Sequence, residues 1–186
     1  MASNTFKYES CSVQVKLPED YIAEIQEWSR KHISDDILYL DPLDGSYGRD
    51  LHSHVTVCLG LNEGDLEKYS GLAKDLAASS LSTKAVIVWE TDLFDLVCLS
   101  LLPSDELLQL NAELTQIADK NYARRKFTPH VSIAFVKKGI GRRLIGKLPW
   151  AEKNVIENRQ WIASEIELVN RRGEFIPLFN TAVIEK

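Results

Sequence analysis

Two hydrophobic periods alternate along the chain. "SVQVKL" at 12–17 places Val13, Val15 and Leu17 on one side of an extended segment, the period of a half-buried strand. "PEDYIAEIQEWSRKH" at 18–32 opens with proline and two acids, then spaces Ile22, Ile25 and Trp28 as a helical stripe. Alternation returns in "HVTVCLG" (54–60), and Leu66, Tyr69, Leu72 and Leu76 form a second stripe in 64–79. "KAVIVWE" (84–90) and "DLVCLSLL" (95–102) predict two strands joined by a short turn. Residues 103–120 predict an amphipathic helix capped by Ser104, and "HVSIAFV" (130–136) another strand. A short helix is expected over 141–149, and 161–170 with 174–184 form a closing hairpin around "RRG".

The order of elements repeats. Leu17-Pro18 and Leu102-Pro103 each end a strand and open a helix with acidic residues. Each helix leads to a strand that begins with histidine, valine, a hydroxyl residue and an apolar residue: His54-Val55-Thr56-Val57 and His130-Val131-Ser132-Ile133. The first copy is longer by a polar loop over 33–51, punctuated by proline and glycine, that the second copy lacks. No linker or low-complexity tract divides the chain. The expectation is therefore a single domain over 1–186, made of two lobes related by a pseudo-twofold axis.

In a strand, residues i and i+2 share a face. His54 and Thr56 then point one way while Val55, Val57 and Leu59 face a core; His130 and Ser132 point one way while Val131, Ile133 and Phe135 lie behind. The next residues on the polar faces, Cys58 and Ala134, are small and leave room for a ligand. Imidazole titrates at about 6.5 and works in either protonation form near neutrality. Two convergent imidazoles suit a phosphodiester: one takes a proton from the attacking oxygen, the other donates to the leaving oxygen. The hydroxyls of Thr56 and Ser132 can donate hydrogen bonds to the non-bridging phosphate oxygens, where charge builds. Each histidine alone would read as an ordinary half-buried strand residue; their matching flanks in duplicated surroundings argue for a site. "HSH" also offers His52 and His54 as a metal pair. No Asp/His pattern completes a divalent site and the cysteines are not at ligand spacing, so neither metal nor cofactor is expected.

Charge narrows the partner. The net charge is −5 over 186 residues, whereas a protein that grips long nucleic acid through phosphates is normally basic. The expected ligand is a small nucleotide or oligonucleotide, not a long duplex. "ARRKFTPH" (123–130) sets Arg124 and Lys126 just before the second histidine, where they could receive substrate phosphates. Tyr47 and Arg49 in the inserted loop could stack on a base or clamp a phosphate. The four tryptophans, Trp28, Trp89, Trp150 and Trp161, are expected in the core or between lobes. No Walker loop or GxGxxG fingerprint is present. The N-terminus lacks the apolar run of a signal peptide, and no stretch approaches a membrane span. The odd count of three cysteines points to free thiols in a reducing compartment. A cytoplasmic monomer is expected.

"HVTV" and "PHVSIAFV", in matching repeats and with "FTPH" opening the second, resemble the two signatures of the 2H phosphoesterase superfamily. That superfamily includes the LigT-like RNA 2′,3′-cyclic phosphodiesterases, historically called 2′-5′ RNA ligases. The resemblance covers nearly the whole chain. It implies a bilobal α+β fold with antiparallel sheets around a central cleft and helices outside. It also implies metal-independent hydrolysis or cyclisation of ribose phosphodiesters, with the functional residues falling on His54, Thr56, His130 and Ser132. "DGSYGRDLHSHVTVCLGL" is similar to members found in phages and bacteria, some of which cleave cyclic oligonucleotide messengers of host defence; this chain has Leu59 where those members often carry an aromatic. The expected activity is that of a phosphodiesterase acting on a 2′,3′-cyclic phosphate, a 2′-5′ linkage or a cyclic oligonucleotide. Its alternatives are a nucleotide-binding module without turnover and a metal-dependent hydrolase using His52 and His54.

Overall fold

A computed structural model describes residues 10–43, 45–77, 79–123 and 126–180. In chain order the elements are β1 (Cys11–Lys16), α1 (Glu19–His32), β2 (His54–Leu61), α2 (Leu66–Leu76), β3 (Ser80–Glu90), β4 (Phe94–Leu102) and α3 (Asp105–Ile117). There follow α4 (Lys120–Ala123), β5 (His130–Lys137), α5 (Gly141–Lys147), α6 (Trp150–Asn154), β6 (Gln160–Ile162), β7 (Glu165–Val169) and β8 (Phe175–Asn180). Of the predicted stripes, Ile25 and Trp28 on α1 and Tyr69 and Leu76 on α2 are buried, whereas Ile22, Leu66 and Leu72 are only partly covered and Tyr21 and Ala73 take buried places beside them; α3 buries Leu107, Leu110 and Leu114. Ser104 caps α3, its Oγ accepting from the Leu107 amide at 3.2 Å. Pro149 opens α6, a short helix that the sequence pattern does not announce.

The strands form one eight-stranded antiparallel sheet, in the order β6-β3-β4-β5-β2-β1-β7-β8, curled into a half-barrel. Its order divides at the middle into two four-stranded halves, and each half ends at the seam with one histidine strand. The two lobes are thus halves of one sheet. The seam between β5 and β2 pairs Val55 with Val131. Beyond that pair the backbone of β5 is taken by the inserted loop: Asp50 N donates to Ile133 O (2.9 Å), Phe135 N to Gly48 O (2.7 Å) and Tyr39 N to Phe135 O (2.9 Å). The loop is a wedge in the opening between the splayed halves, and it satisfies backbone groups that would otherwise be orphaned.

The alternation breaks at the same point in both histidine strands. Thr56 pairs with Gln14 but Cys58 with Val13, so Val57 is an extra residue; Ser132 pairs with Cys98 but Ala134 with Val97, so Ile133 is an extra residue. Each β-bulge falls three residues after the histidine and reverses the facing beyond it. The expected faces there are therefore corrected. Cys58 and Ala134 are buried, Leu59 is 40 % exposed, and Phe135 turns half-buried to the inner face. The expected strand over 161–170 also divides. Its buried positions switch from odd (Trp161, Ala163) to even (Ile166, Leu168), because β6 pairs with β3 at one sheet edge and β7 with β1 in the other half. The β7–β8 hairpin closes as expected, with Val169 opposite Phe175; the rest of its predicted second strand, 181–184, lies outside the described residues.

Gly60 marks a further irregularity of β2. Its φ is +85°, and a Cβ there would stand 2.8 Å from the Tyr122 ring. Gly60→Ala is expected to cost about 1–3 kcal/mol of stability. Gly71→Ala, in the exposed middle of α2 with open space around it, should instead stabilise by up to about 1 kcal/mol. Denaturant midpoints of the two variants, moving in opposite directions from the wild type, check both.

Candidate active site

The site follows from the seam. Residues directly opposite in an antiparallel pair share a face. Val55 and Val131 are fully buried on the helix side, so their neighbours emerge on the inner face of the curl. Carrying the register one residue each way sets His54 across from Ser132 and Thr56 across from His130. The histidines lie on the diagonal of this square. Diagonal neighbours stand about 7–8 Å apart, which leaves room for a phosphate. The local twofold axis through Val55 and Val131 exchanges His54 with His130 and Thr56 with Ser132. Duplicated sequence has become site symmetry.

Symmetry extends to the hydrogen bonds. His54 Nδ1 lies 2.8 Å from the His52 carbonyl, and His130 Nδ1 lies 3.0 Å from the Thr128 carbonyl. A carbonyl only accepts, so each Nδ1 carries the proton and each neutral ring keeps its Nε2 lone pair free for chemistry. His54 Nε2 meets Thr56 Oγ1 at 3.2 Å. Burial pushes His130 below the ordinary imidazole value, the Thr128 carbonyl opposes it, the charge of His54 adds to the lowering, and Asp50 works against it.

This lowering has a sign for stability. The unfolded chain binds the proton near pH 6.5, about the ordinary imidazole value, and the folded chain resists it. The contribution of His130 is therefore intact above that pH and is lost as pH falls toward the lowered value. The melting temperature of the wild type should drop relative to His130→Gln as the pH is taken down from about 6.5. Parallel curves for the two proteins would remove the argument.

Flanking strands complete the floor of the site. On β1, Lys16 lies opposite His54 and Gln14 opposite Thr56; on β4, Ser100 lies opposite His130 and Cys98 opposite Ser132. Lys16 is engaged by Glu165 (3.3 Å) and Glu19 (3.5 Å), and Gln14 Nε2 donates to Glu167 at 2.7 Å. Trp89 reaches over from β3 to contact the His130 ring, with centroids 4.2 Å apart. Burial holds the Cys98 thiol at about 12 and that of Cys58 at about 11, so neither supplies a thiolate nucleophile. Sequence reasoning missed Gln14, Lys16, Ser100 and Trp89. Strand parity puts each on a face, but only the pairing order of the sheet shows that the face is the one bearing the histidines.

Arg49 sends its guanidinium to the Asp35 carboxylate and the Ile33 carbonyl, and so braces the inserted loop. Tyr47 adopts φ +73° and is 46 % exposed; its ring joins Phe94, Phe135 and Tyr39 in one aromatic cluster. Lys126 is exposed ahead of β5, and Arg124 lies outside the described residues. His52 is exposed, its ring 6.0 Å from that of Phe175. Among the described residues no group of three or more His, Cys, Asp and Glu side chains gathers as metal ligands. Trp28 and Trp161 are buried as expected, whereas Trp150 is 70 % exposed and Trp89 borders the site. A concavity of about 330 Å³ bordered by Asn62, Asp119 and Arg171 lies at the far end of β2 from His54. The histidines themselves occupy the open inner face of the curl.

No protein-family model matches the chain, and no curated protein matches it in sequence. Solved structures do match in fold. Over 90 % of this chain and 93 % of the other, it is similar to LigT of E. coli, with 16 % identity and a TM-score of 0.58. The E. coli protein has also been solved with 3′-AMP. A protein of Thermus thermophilus, TT0787, matches 92 % of this chain over 99 % of its own, with 16 % identity and a TM-score of 0.55. Usb1 of Kluyveromyces marxianus, solved with uridine monophosphate, matches 91 % over 97 %, with 12 % identity and a TM-score of 0.50. No helix among the described residues is long and apolar enough to cross a membrane.

Proposed function

We propose that this chain, which has the fold of the 2H phosphoesterases, is a phosphodiesterase that opens a small ribose phosphodiester by two-histidine acid–base catalysis. The observation that carries the reading is the square of His54, Thr56, His130 and Ser132 around the Val55–Val131 pair. Its substrate class is a 2′,3′-cyclic phosphate, a 2′-5′ linkage or a cyclic oligonucleotide. The similar proteins of E. coli and K. marxianus, solved with 3′-AMP and uridine monophosphate, support a nucleotide-sized ligand.

The phosphate sits between the two Nε2 atoms. His130, the ring whose burial disfavours the imidazolium, is neutral and takes the proton of the attacking water as its oxygen bonds to phosphorus. His54, in its protonated form, gives its Nε2 proton to the ribose oxygen as the P–O bond breaks. Thr56 and Ser132 donate hydrogen bonds to the non-bridging oxygens as their charge grows. A charge on His54 disfavours one on His130, and the proposed working state of the pair carries one proton. The residues present supply proton transfer and charge stabilisation by themselves, and the reading assigns no step to a metal or cofactor. Tyr47 and Lys126 are proposed as outer contacts for base and phosphate, and Arg124 keeps that proposed role from sequence alone. Arg49 acts on the substrate only through the loop it braces.

The experiment is to incubate the protein, with EDTA present, against a panel of linear and cyclic ribonucleotides and identify products by mass. A product heavier by one water than a cyclic substrate, formed by wild type and not by His130→Ala, is the expected result. Nucleotide binding without any turnover would make the chain a binding module, and activity lost to EDTA would point to a metal-dependent hydrolase using His52 and His54.

A further inference from the structure

The twofold axis that relates the two histidines does not relate their surroundings. His54 has Lys16 as its cross-strand neighbour on β1, with Glu19 and Glu165 held against that ammonium. His130 has Ser100 as its neighbour on β4, and an indole lies over it. Trp89 is not in the row of His130. The row runs from His130 through Ser100 to Ala85, while Trp89 pairs with Leu96 four residues farther along β3. The Trp89 ring nonetheless reaches that of His130, at a centroid distance of 4.2 Å and a tilt of 54°.

We propose that Trp89 is a positioning residue that fixes His130 as the proton acceptor of the pair. The inference deepens the acid–base reading of His54 and His130 and rests on it. Two effects follow from the contact. The indole pins the ring plane that the Thr128 carbonyl orients from the other end, so that Nε2 stays aimed at the cleft. It also removes water from one side of the imidazole, which penalises the charged form more than the neutral one. The π face of the indole attracts a cation and acts in the opposite sense. The 54° tilt keeps the imidazole from lying flat on the indole face, which weakens that attraction and leaves desolvation the larger effect. Among the described residues, the charged groups facing His130 from the packed elements are His54 on β2 and Asp50 in the inserted loop, whose effects oppose one another. The Lys16–Glu165 pair lies on the His54 side. Trp89 therefore supplies an asymmetry that the duplicated motif cannot.

The test is a titration of the histidine ring nitrogens by NMR in wild type, Trp89→Leu and Trp89→Phe, with His54→Gln and His130→Gln used for assignment. In Trp89→Leu the His130 midpoint should move up toward the ordinary imidazole value while that of His54 stays. Trp89→Phe should restore most of the difference, and unchanged circular dichroism keeps the comparison on folded protein. A His130 midpoint that stays or falls in Trp89→Leu overturns the proposal. Because the titration needs no substrate, it decides this inference even if the wild type turns nothing over, an outcome that would remove the phosphodiesterase reading instead. Where turnover is measured, the acidic limb of kcat/KM should move to higher pH with the His130 midpoint. In that variant kcat should fall roughly ten- to hundredfold with KM little changed, the pattern of a misaimed base.

Discussion

His54→Ala and His130→Ala are each expected to lower kcat/KM for the proposed ribose phosphodiester by about 10²–10⁴-fold, because each would remove one proton transfer from the transition state. The two losses do not add. With one imidazole gone, the remaining one no longer completes a concerted transfer, so the double variant should be little worse than either single variant. Both rings are half-buried on rigid strands and neither fills the helix-side core, so the variants should fold with thermal midpoints near that of the wild type. Nucleotide binding should survive in both. Either variant retaining activity within a few-fold of wild type would contradict the acid–base assignment.

Loss of a hydroxyl comes next. Thr56→Ala and Ser132→Ala should each lower kcat by about 10²–10³-fold, the typical cost of removing one donor aimed at developing phosphate charge. The donors act on charge that appears in the transition state, so KM should change little. Thr56→Ser and Ser132→Thr keep the donor and should recover most of the rate. The effects need not be equal, because Thr56 Oγ1 also lies 3.2 Å from His54 Nε2 and helps hold that ring. A loss carried by KM alone would mean that the hydroxyls bind the ground state and do not serve the reaction.

Much of this site was legible in the sequence, for a physical reason. A histidine and a hydroxyl two residues apart on a strand share a face whatever the strand pairs with, and their recurrence at His54–Thr56 and His130–Ser132 required no knowledge of the fold. The helical stripes through Trp28, Leu76 and Leu110 were equally local. What stayed hidden depends on partners. The bulges at Val57 and Ile133 are properties of a strand pair, and they sent Leu59 and Phe135 to faces that simple alternation denies them. The closeness of Trp89 to His130 joins residues from different rows of the sheet, which no strand pattern announces. Arg49 looked like a phosphate clamp because a guanidinium in a loop has no visible partner in sequence; in the fold that partner is Asp35. The break after Ala163 left a trace in the switch of buried parity, yet the same trace fits a bulge as well as a change of sheet half.

As proposed, two imidazoles brought together at a thin seam between duplicated half-sheets pass protons to and from one phosphate. The most direct test is the pH dependence of kcat/KM measured with EDTA throughout, on whichever ribonucleotide the panel selects. A bell with one proton on each limb is expected, the acidic limb set by His130 and lying below the ordinary imidazole range. A profile with no imidazole limbs, or a rate abolished by the chelator and restored by added metal, would contradict it.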